Sequence, residues 1–333
     1  MRNLKKIILI LVFYLPGKII AQVDPHFSQF YAYPLWLNPG MTGVIGGDYR
    51  VSAIYRNQWS DVMTPFETQG ISADVRTNKN LNIGVNFLNQ SAGDAGYKYL
   101  NAYLSLAYSG ISFGENKSQQ ITFGMQAGLL GRRFDPTKFQ FGDQWNPITG
   151  YDPGANTADL ISKTSSSVLD LGAGISYSDG SQNKSVNFFG GISAFHLTKP
   201  QDPFFNSAVK KNLPIRYTFH AGARININEI ISITPNVLYL NQGTASEKMA
   251  GLTGELQVNE NTGVIFGGNY RFQDAIAPFA GISYRNFILG LSYDVNTSEL
   301  GKSVKGTNSF EISLTYKGVR EGSSLKYLSC PKF

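Results

Sequence analysis

From residue 49 onward this sequence alternates apolar and polar side chains at every second position, in segment after segment, and that period leaves few folds open. Side chains that alternate along a strand point to opposite faces of a sheet. In 80–90, Leu81, Ile83, Val85 and Phe87 share one face and Asn82, Gly84 and Asn86 the other. In 119–131, Ile121, Phe123, Met125, Ala127 and Leu129 oppose Thr122, Gly124, Gln126 and Gly128. The same holds where Tyr217, Phe219, Ala221, Ala223 and Ile225 oppose Arg216, Thr218, His220, Gly222 and Arg224, and where Phe310, Ile312, Leu314 and Tyr316 oppose Glu311, Ser313 and Thr315. Roughly 14 such segments are expected, near 49–57, 67–76, 80–90, 98–109, 119–131, 167–178, 185–197, 215–226, 230–240, 248–258, 262–272, 277–285, 286–295 and 308–317. Those at 248–258 and 277–285 are weakly patterned, so the expected range is about 12 to 16, with an even number favoured.

A soluble β-sandwich also alternates. Three features favour a barrel in a membrane. The segments run about 9–12 residues, the length a tilted strand needs to cross a bilayer, against ~5–6 in soluble sheets. Aromatic residues gather at segment ends (Tyr49, Tyr55, Tyr108, Tyr177, Tyr239, Tyr270, Phe272, Tyr293, Tyr316), where a girdle at headgroup level would lie. The face opposite the apolar one carries Arg50, Arg56, Asp74, Arg76, Asp170, Arg216, Arg224, Glu255 and Arg271. A packed soluble core rejects such charges, whereas a watery or plugged lumen holds them. The expected fold is therefore all-β, a transmembrane antiparallel β-barrel of a Gram-negative outer membrane. It must close, because hydrocarbon leaves no partner for an open strand edge.

The first residues fix the route there. Arg2, Lys5 and Lys6 precede an apolar run from Ile7 to Leu15, and Ile19-Ile20-Ala21 reads as a cleavage site. The run is too short for a mature membrane helix, so 1–21 is expected to be a signal peptide. It carries four of the 29 basic residues and none of the 23 acids, leaving a mature chain of 25 bases and 23 acids. That balance argues against nucleic acid as a partner. Beyond it lie a non-strand segment (22–48), the barrel (49–317) and a short tail (318–333), with no internal repeat. With the N-terminus periplasmic, the gaps at 58–66, 91–97, 132–166, 198–214, 241–247 and 273–276 are distributed over alternating sides. The gaps at 132–166 and 198–214 exceed what a hairpin needs, which marks them as candidate partner contacts.

Little in the sequence points to chemistry. Cys330 is the single cysteine, which excludes an intrachain disulfide framework and a Cys-rich metal site. It reads as an unpaired thiol in a folded tail, with a reactive or cross-linking thiol as the alternative. His26, His196 and His220 lack metal spacing and read as lumen or loop hydrogen-bonding residues. His220 on an inward face is a conceivable base, but no serine is marked as its nucleophile. Neither cofactor, metal nor catalytic activity is expected. Phe189-Gly190-Gly191 and Phe266-Gly267-Gly268 lack a phosphate-binding pattern and read as places where the sheet bends.

Several stretches that the period does not explain resemble a known family. Asp24-Pro25-His26-Phe27-Ser28-Gln29-Phe30-Tyr31, followed by Leu37-Asn38-Pro39-Gly40-Met41-Thr42-Gly43, is similar to the opening of the PorP/SprF family. The first strand ends in Tyr55-Arg56-Asn57-Gln58-Trp59, which resembles its arginine-any-glutamine-tryptophan element. Phe141-Gly142-Asp143-Gln144, the stretch Gly191 to Leu197 that includes His196, Pro200, and the ending Cys330-Pro331-Lys332-Phe333 are further points of similarity. Gly40 stands where alanine is common in the family. The resemblance implies a non-enzymatic outer-membrane part in the type IX secretion system. It would support export or surface attachment of a secreted partner, such as a gliding adhesin, that carries a C-terminal sorting domain. The implied partners are that cargo, other type IX components and outer-membrane lipid. The alternative is a transport barrel for small solutes or fatty acids.

Residues 24–43 carry Phe27, Phe30, Tyr31, Tyr33 and Trp36 with three prolines and no strand period. So many aromatics favour an extended segment folded against or into the barrel over a disordered periplasmic tail. Arg56, on the inward face, is expected to hold it by bidentate pairing to a carboxylate, with Asp24 the candidate.

Overall fold

A computed structural model describes residues 24–320, apart from 61–63, 78, 94–95, 157–163, 202–211, 300, 302–303 and 305–306. The signal-peptide and Cys330 expectations lie outside the described residues.

The alternating segments form a closed antiparallel barrel of 14 strands. In chain order they are β1 (Tyr49–Gln58), β2 (Phe66–Val75), β3 (Leu81–Ala92), β4 (Tyr97–Phe113), β5 (Gln119–Arg133), β8 (Ser165–Asp179), β9 (Val186–Phe195), β10 (Arg216–Asn226), β11 (Ile231–Gln242), β12 (Ala245–Asn259), β13 (Thr262–Arg271), β14 (Ala275–Tyr284), β15 (Phe287–Asn296) and β16 (Ser309–Gly318). The two-residue strands β6 (Trp145–Asn146) and β7 (Gly150–Tyr151) pair only with each other, in the connection after β5. β1 zips onto β16 from Tyr49↔Gly318 to Gln58↔Ser309, which removes the last open edge.

The burial is inside out relative to a soluble protein. Ile83, Val85, Phe87, Leu104, Met125, Phe219 and Leu291 face outward and are exposed, while Arg50, Arg56, Asp74, Asp170, Arg216, Arg271 and Glu311 are buried within. Apolar residues outside and charges inside are the arrangement lipid demands of a barrel. Aromatic contacts sit at both rims: Tyr49, Phe287 and Tyr316 at one, Tyr55 and Phe310 at the other. No described helix is long and apolar enough to cross a membrane.

The two ends of the barrel differ. One end has only short turns, at 76–80, 114–118, 180–185, 227–230, 260–261 and 285–286; the other carries 59–65, 134–164, 196–215 and 297–308. Outer-membrane barrels place short turns in the periplasm and long loops outside. The six gaps expected on alternating sides do not alternate: each follows an odd-numbered strand of the barrel, so all open at the loop-bearing end. The weak patterns at 248–258 and 277–285 do belong to strands. Their period is blurred because apolar residues also face inward there, Met249 in β12 and Ala275, Ala277 and Phe279 in β14.

Candidate functional site: the luminal segment and the outer vestibule

Residues 24–45 are buried inside the barrel, with only His26 reaching intermediate exposure. The local sequence dictates their form. Pro34 and Pro39 each begin a turn, Pro34–Leu37 helical and Pro39–Met41 3₁₀, where a missing N–H costs nothing. Asn38 between them accepts a hydrogen bond from Gly40 N at 2.8 Å, so the chain coils tightly instead of extending. The coil is a wedge with two apolar flanks. Phe27, Tyr33 and Trp36 pack with Ile54, Leu88, Tyr99, Tyr103 and Leu130 of β1 and β3–β5. Phe30, Tyr31, Leu37 and Met41 pack with Phe189, Leu238 and Met249 of β9, β11 and β12.

Polar contacts fix the wedge at three levels. At the loop-bearing end, Asp24 lies 2.7 Å from His196 Nε2 and 3.1 Å from Arg216 Nη1, and accepts from Tyr99 Oη at 3.2 Å. His196 Nδ1 is 2.6 Å from Asp170, which also accepts from Tyr103. The Arg216 guanidinium is sandwiched between the rings of Trp36 and Phe195, at 4.2 and 4.1 Å. Next, Ser28 N and Gln29 N donate to the two oxygens of Glu311 at 2.7 and 2.9 Å. Ser28 Oγ donates to Asp294 at 2.7 Å and accepts from Arg56 and Arg271 at 3.2 and 2.9 Å. Arg56 itself pairs with Glu311 and, at 3.0 Å, with Asp294. At the turn end, Gly43 N donates to Asp74 at 2.7 Å, and Arg50 grips Asp74 in bidentate fashion at 2.9 and 2.8 Å.

Two expectations are corrected here. Arg56 does touch the segment, but through Ser28; the guanidinium on Asp24 belongs to Arg216. The segment also runs opposite to a periplasmic N-terminus: Asp24 lies at the loop-bearing end and Asp48 at the turn end, where β1 begins. The direction decides the pairing, because it brings Asp24 to the tops of β9 and β10 and leaves Ser28 beside β1.

The lumen glycines have a role the sequence reading missed. A Cβ on Gly174 would lie 2.0 Å from Asn38 Oδ1, on Gly191 2.5 Å from Asn38 Nδ2, and on Gly124 2.2 Å from Pro39 O. These positions are hollowed so that the Asn38-Pro39 turn can seat against β5, β8 and β9. Asn38 Nδ2 then reaches Ile175 O and Ile192 O at 3.0 and 3.3 Å, and lies 3.2 Å from His220 Nε2. His220 Nδ1 in turn is 3.3 Å from Tyr31 Oη, so this histidine clasps the segment from the wall. The available signal was a few polar residues, Ser28, Gln29, Asn38 and Thr42, in a region otherwise dense in aromatics, set against glycines in alternating strands. Gly174→Val is expected to unseat the turn, at a cost of about 1–3 kcal/mol or more. Heat-modifiability on gels would show it as a lower unfolding temperature, with Gly131→Val, whose Cβ has nothing nearer than 3.7 Å, as the control.

Burial alone would depress the His196 imidazole. The Asp24 charge, with Asp170 on the other ring nitrogen, outweighs it and holds the pKa up to about 9. Burial would likewise raise Asp24, but His196 and Arg216 hold its carboxyl well below the usual range. A raised histidine stabilises fully below its unfolded value near 6.5 and loses that contribution as pH climbs through about 9. Barrel unfolding temperature should therefore fall as pH rises from about 6.5 to about 9, and His196→Gln should flatten that limb. An unchanged limb in the variant would contradict the assignment.

The remaining motif residues lie apart from the wedge. Gln144 folds the long connection onto itself: Oε1 accepts from Phe141 N at 3.2 Å, and Nε2 donates to Ala155 O at 2.9 Å. Gly142 and Asp143 form the 3₁₀ turn between Phe141 and Gln144. Trp59 adopts a left-handed backbone (φ 61°) and packs edge-on against Phe66 at 5.4 Å. Trp59, Gln58 and Pro25 line a cavity of about 550 Å³ at the loop-bearing end, floored by His26, Arg56, Arg271 and Asp294. Among the described residues, no group of three or more His, Cys, Asp or Glu is placed to hold a metal ion.

Comparison with known proteins places the chain. Curated proteins give no match. Solved structures similar in outline include the toluene transporter TbuX of Ralstonia pickettii, at 9% identity and TM-score 0.48 over 85% of this chain and 93% of that one. The CymD monoaromatic hydrocarbon channel gives 11% identity and TM-score 0.48 over 90% and 95%. The KdgM porin gives 6% and 0.38 over 80% and 98%. Resemblances this distant say nothing about what this barrel binds. The family model for "Type IX secretion system membrane protein PorP/SprF" matches residues 19–316. Nearly the whole barrel and its luminal segment fall within that match, and the chain belongs to the PorP/SprF family of outer-membrane type IX secretion proteins.

Proposed function

We propose that this protein is a non-enzymatic holder in the type IX system: it supports export or surface attachment of a secreted partner, of the adhesin kind, through its loop-bearing end. The observation that carries this reading is the filled lumen. A pore for solutes needs a path, and here the covalently attached wedge is locked to the wall at three levels, by the buried Asp24–Arg216 ion pair and by hydrogen bonds from its backbone to Glu311 and Asp74. Both ring nitrogens of His196 and of His220 are engaged with the wedge or its supports, which fits a structural rather than catalytic use.

The loop-bearing end supplies contact surface. The β6–β7 hairpin stacks Trp145 on Tyr151 at 5.7 Å, and Asn146 Oδ1 caps the turn by accepting from Ile148 N at 2.8 Å. Ile148 at its tip is 93% exposed. A structured hairpin with an apolar tip at a barrel's outer end fits protein contact better than hinge motion. The test is a tagged pull-down from detergent-solubilised outer membrane. A secreted protein with a C-terminal sorting domain should co-purify with the full chain and be lost when 145–151 is replaced by a short glycine-serine turn. Steady solute conductance by the purified barrel, with no associated protein, would instead favour transport.

A further inference from the structure

The cavity at the loop-bearing end has a charge imbalance that the wedge does not use. Its floor and walls bring Glu247, Asp274 and Asp294 together with Arg56 and Arg271, and Glu311 lies directly beneath Arg56. Arg271 serves Asp274 and Asp294, and Arg56 serves Asp294 and Glu311. Two guanidinium groups thus meet four carboxylates. His26, 3.9 Å from Glu247, adds no positive charge at neutral pH, because burial, helped by Arg56 and Arg271, pushes its pKa well below the ordinary value. Asp24, at the cavity's edge, is already matched by Arg216 and His196.

Unmet hydrogen-bonding capacity lies at the same place. Asp294 is 2% exposed; its Oδ2 takes three donors while Oδ1 has none. Gln242 Nε2, on a side chain also 2% exposed that lines the cavity, is likewise without a partner. Buried polar atoms of this kind call for an occupant. The walls above them are Trp59, Phe66, Phe272 and Leu240, with Gln58, Gln90, Gln273 and Asn296 among them. Aromatic faces accept a cation and its methylene stem, and side-chain amides offer a donor and an acceptor to a peptide backbone. A metal ion fits poorly, since the described carboxylates do not converge on one point. The volume of about 550 Å³ lies within the range of small-molecule and short-peptide sites.

We infer that this outer vestibule is a receptor site for a lysine- or arginine-bearing extended segment of a partner protein, its cation seated against Asp294 and Asp274 and its stem against Trp59 and Phe272. The occupant's being a protein rests on the holder reading above; the cationic specificity rests on the cavity alone.

Calorimetric titration of the full chain in detergent tests it, with a blocked peptide of alternating glycine and lysine as probe. Saturable binding is expected, weakening as salt is raised. The glutamate counterpart should not bind. Asp274→Asn, in a residue 45% exposed and at a strand connection, should weaken the lysine peptide by about tenfold, and Asp274→Asn with Glu247→Gln by more. Retained heat-modifiability identifies variants that still fold; if the double variant does not, the single variant and the salt series decide. Equal binding of the acidic peptide, or an affinity unmoved by Asp274→Asn and by salt, overturns the inference. Spermidine binding as tightly as the peptide overturns the polypeptide occupant. The two readings separate cleanly: a pull-down that retrieves a partner while the lysine peptide fails removes the vestibule site alone.

Discussion

Deleting residues 24–43 should convert a quiet barrel into one with steady conductance in planar bilayers, and should lower its unfolding temperature in detergent. The first effect follows from geometry. The deleted residues fill the lumen between β1–β5 on one side and β9–β12 on the other, and their removal leaves a wall lined by charges that water can solvate. The second follows from lost partners. Asp74, Asp170, Arg216 and Glu311 all contact the wedge or its supports, and each loses a charge-assisted bond or the packing that excluded water from it. A deletion variant that stays silent in bilayers and keeps its unfolding temperature would show that the segment does not fill the barrel. The full chain serves as the reference in both measurements.

Arg56→Ala should be the most damaging single substitution in the wall. Its side chain is fully buried and is the cation shared by Glu311 and Asp294, while also reaching Ser28 Oγ. Truncating one partner of a buried ionic network leaves the others uncompensated, and such losses run to about 3–5 kcal/mol. Glu311 is the group that receives Ser28 N and Gln29 N, so the wedge should loosen along with the barrel. Arg56→Lys should rescue little: Nη1 reaches Glu311 and Ser28 while Nη2 reaches Asp294, a spread that one compact ammonium does not reproduce. Unfolding temperature reports stability; limited proteolysis after residue 24 reports the wedge. If Arg56→Lys restores both, a point charge suffices and the fork geometry is not what matters.

The barrel was legible because its signal is local. Alternation of Leu81 through Phe87, or of Phe310 through Tyr316, is set by the period of a strand and needs no knowledge of distant residues. Even the two blurred segments were placed, with ends off by one to three residues: β12 starts at Ala245 rather than 248, and β14 at Ala275 rather than 277. The aromatic and proline content of 24–43 marked it as something other than a tail. Its partners were not legible. Asp24 meets Arg216 and not Arg56 because the segment enters from the loop-bearing end, and direction inside a lumen leaves no trace in a period. The glycines show a second limit. Gly191 read as a sheet bend and Gly124 as one inward position among others, and only the seated Asn38-Pro39 turn shows that their missing side chains, with that of Gly174, are the socket. The motif resemblance joined these parts before the contacts did: Asp24, Ser28, Asn38, Arg56 and His196 all belong to the wedge or its anchors. Phe141 to Gln144 belongs to a loop that folds on itself.

Where the luminal segment begins is the point on which the arrangement stands. A His26→Cys variant in a Cys330→Ser background, treated in intact cells with a membrane-impermeant thiol reagent, reads it directly. His26 lines the outer vestibule, so the cysteine should be labelled from outside without breaching the membrane. Labelling that appears only after the outer membrane is opened would place this end of the segment in the periplasm and contradict the structure described.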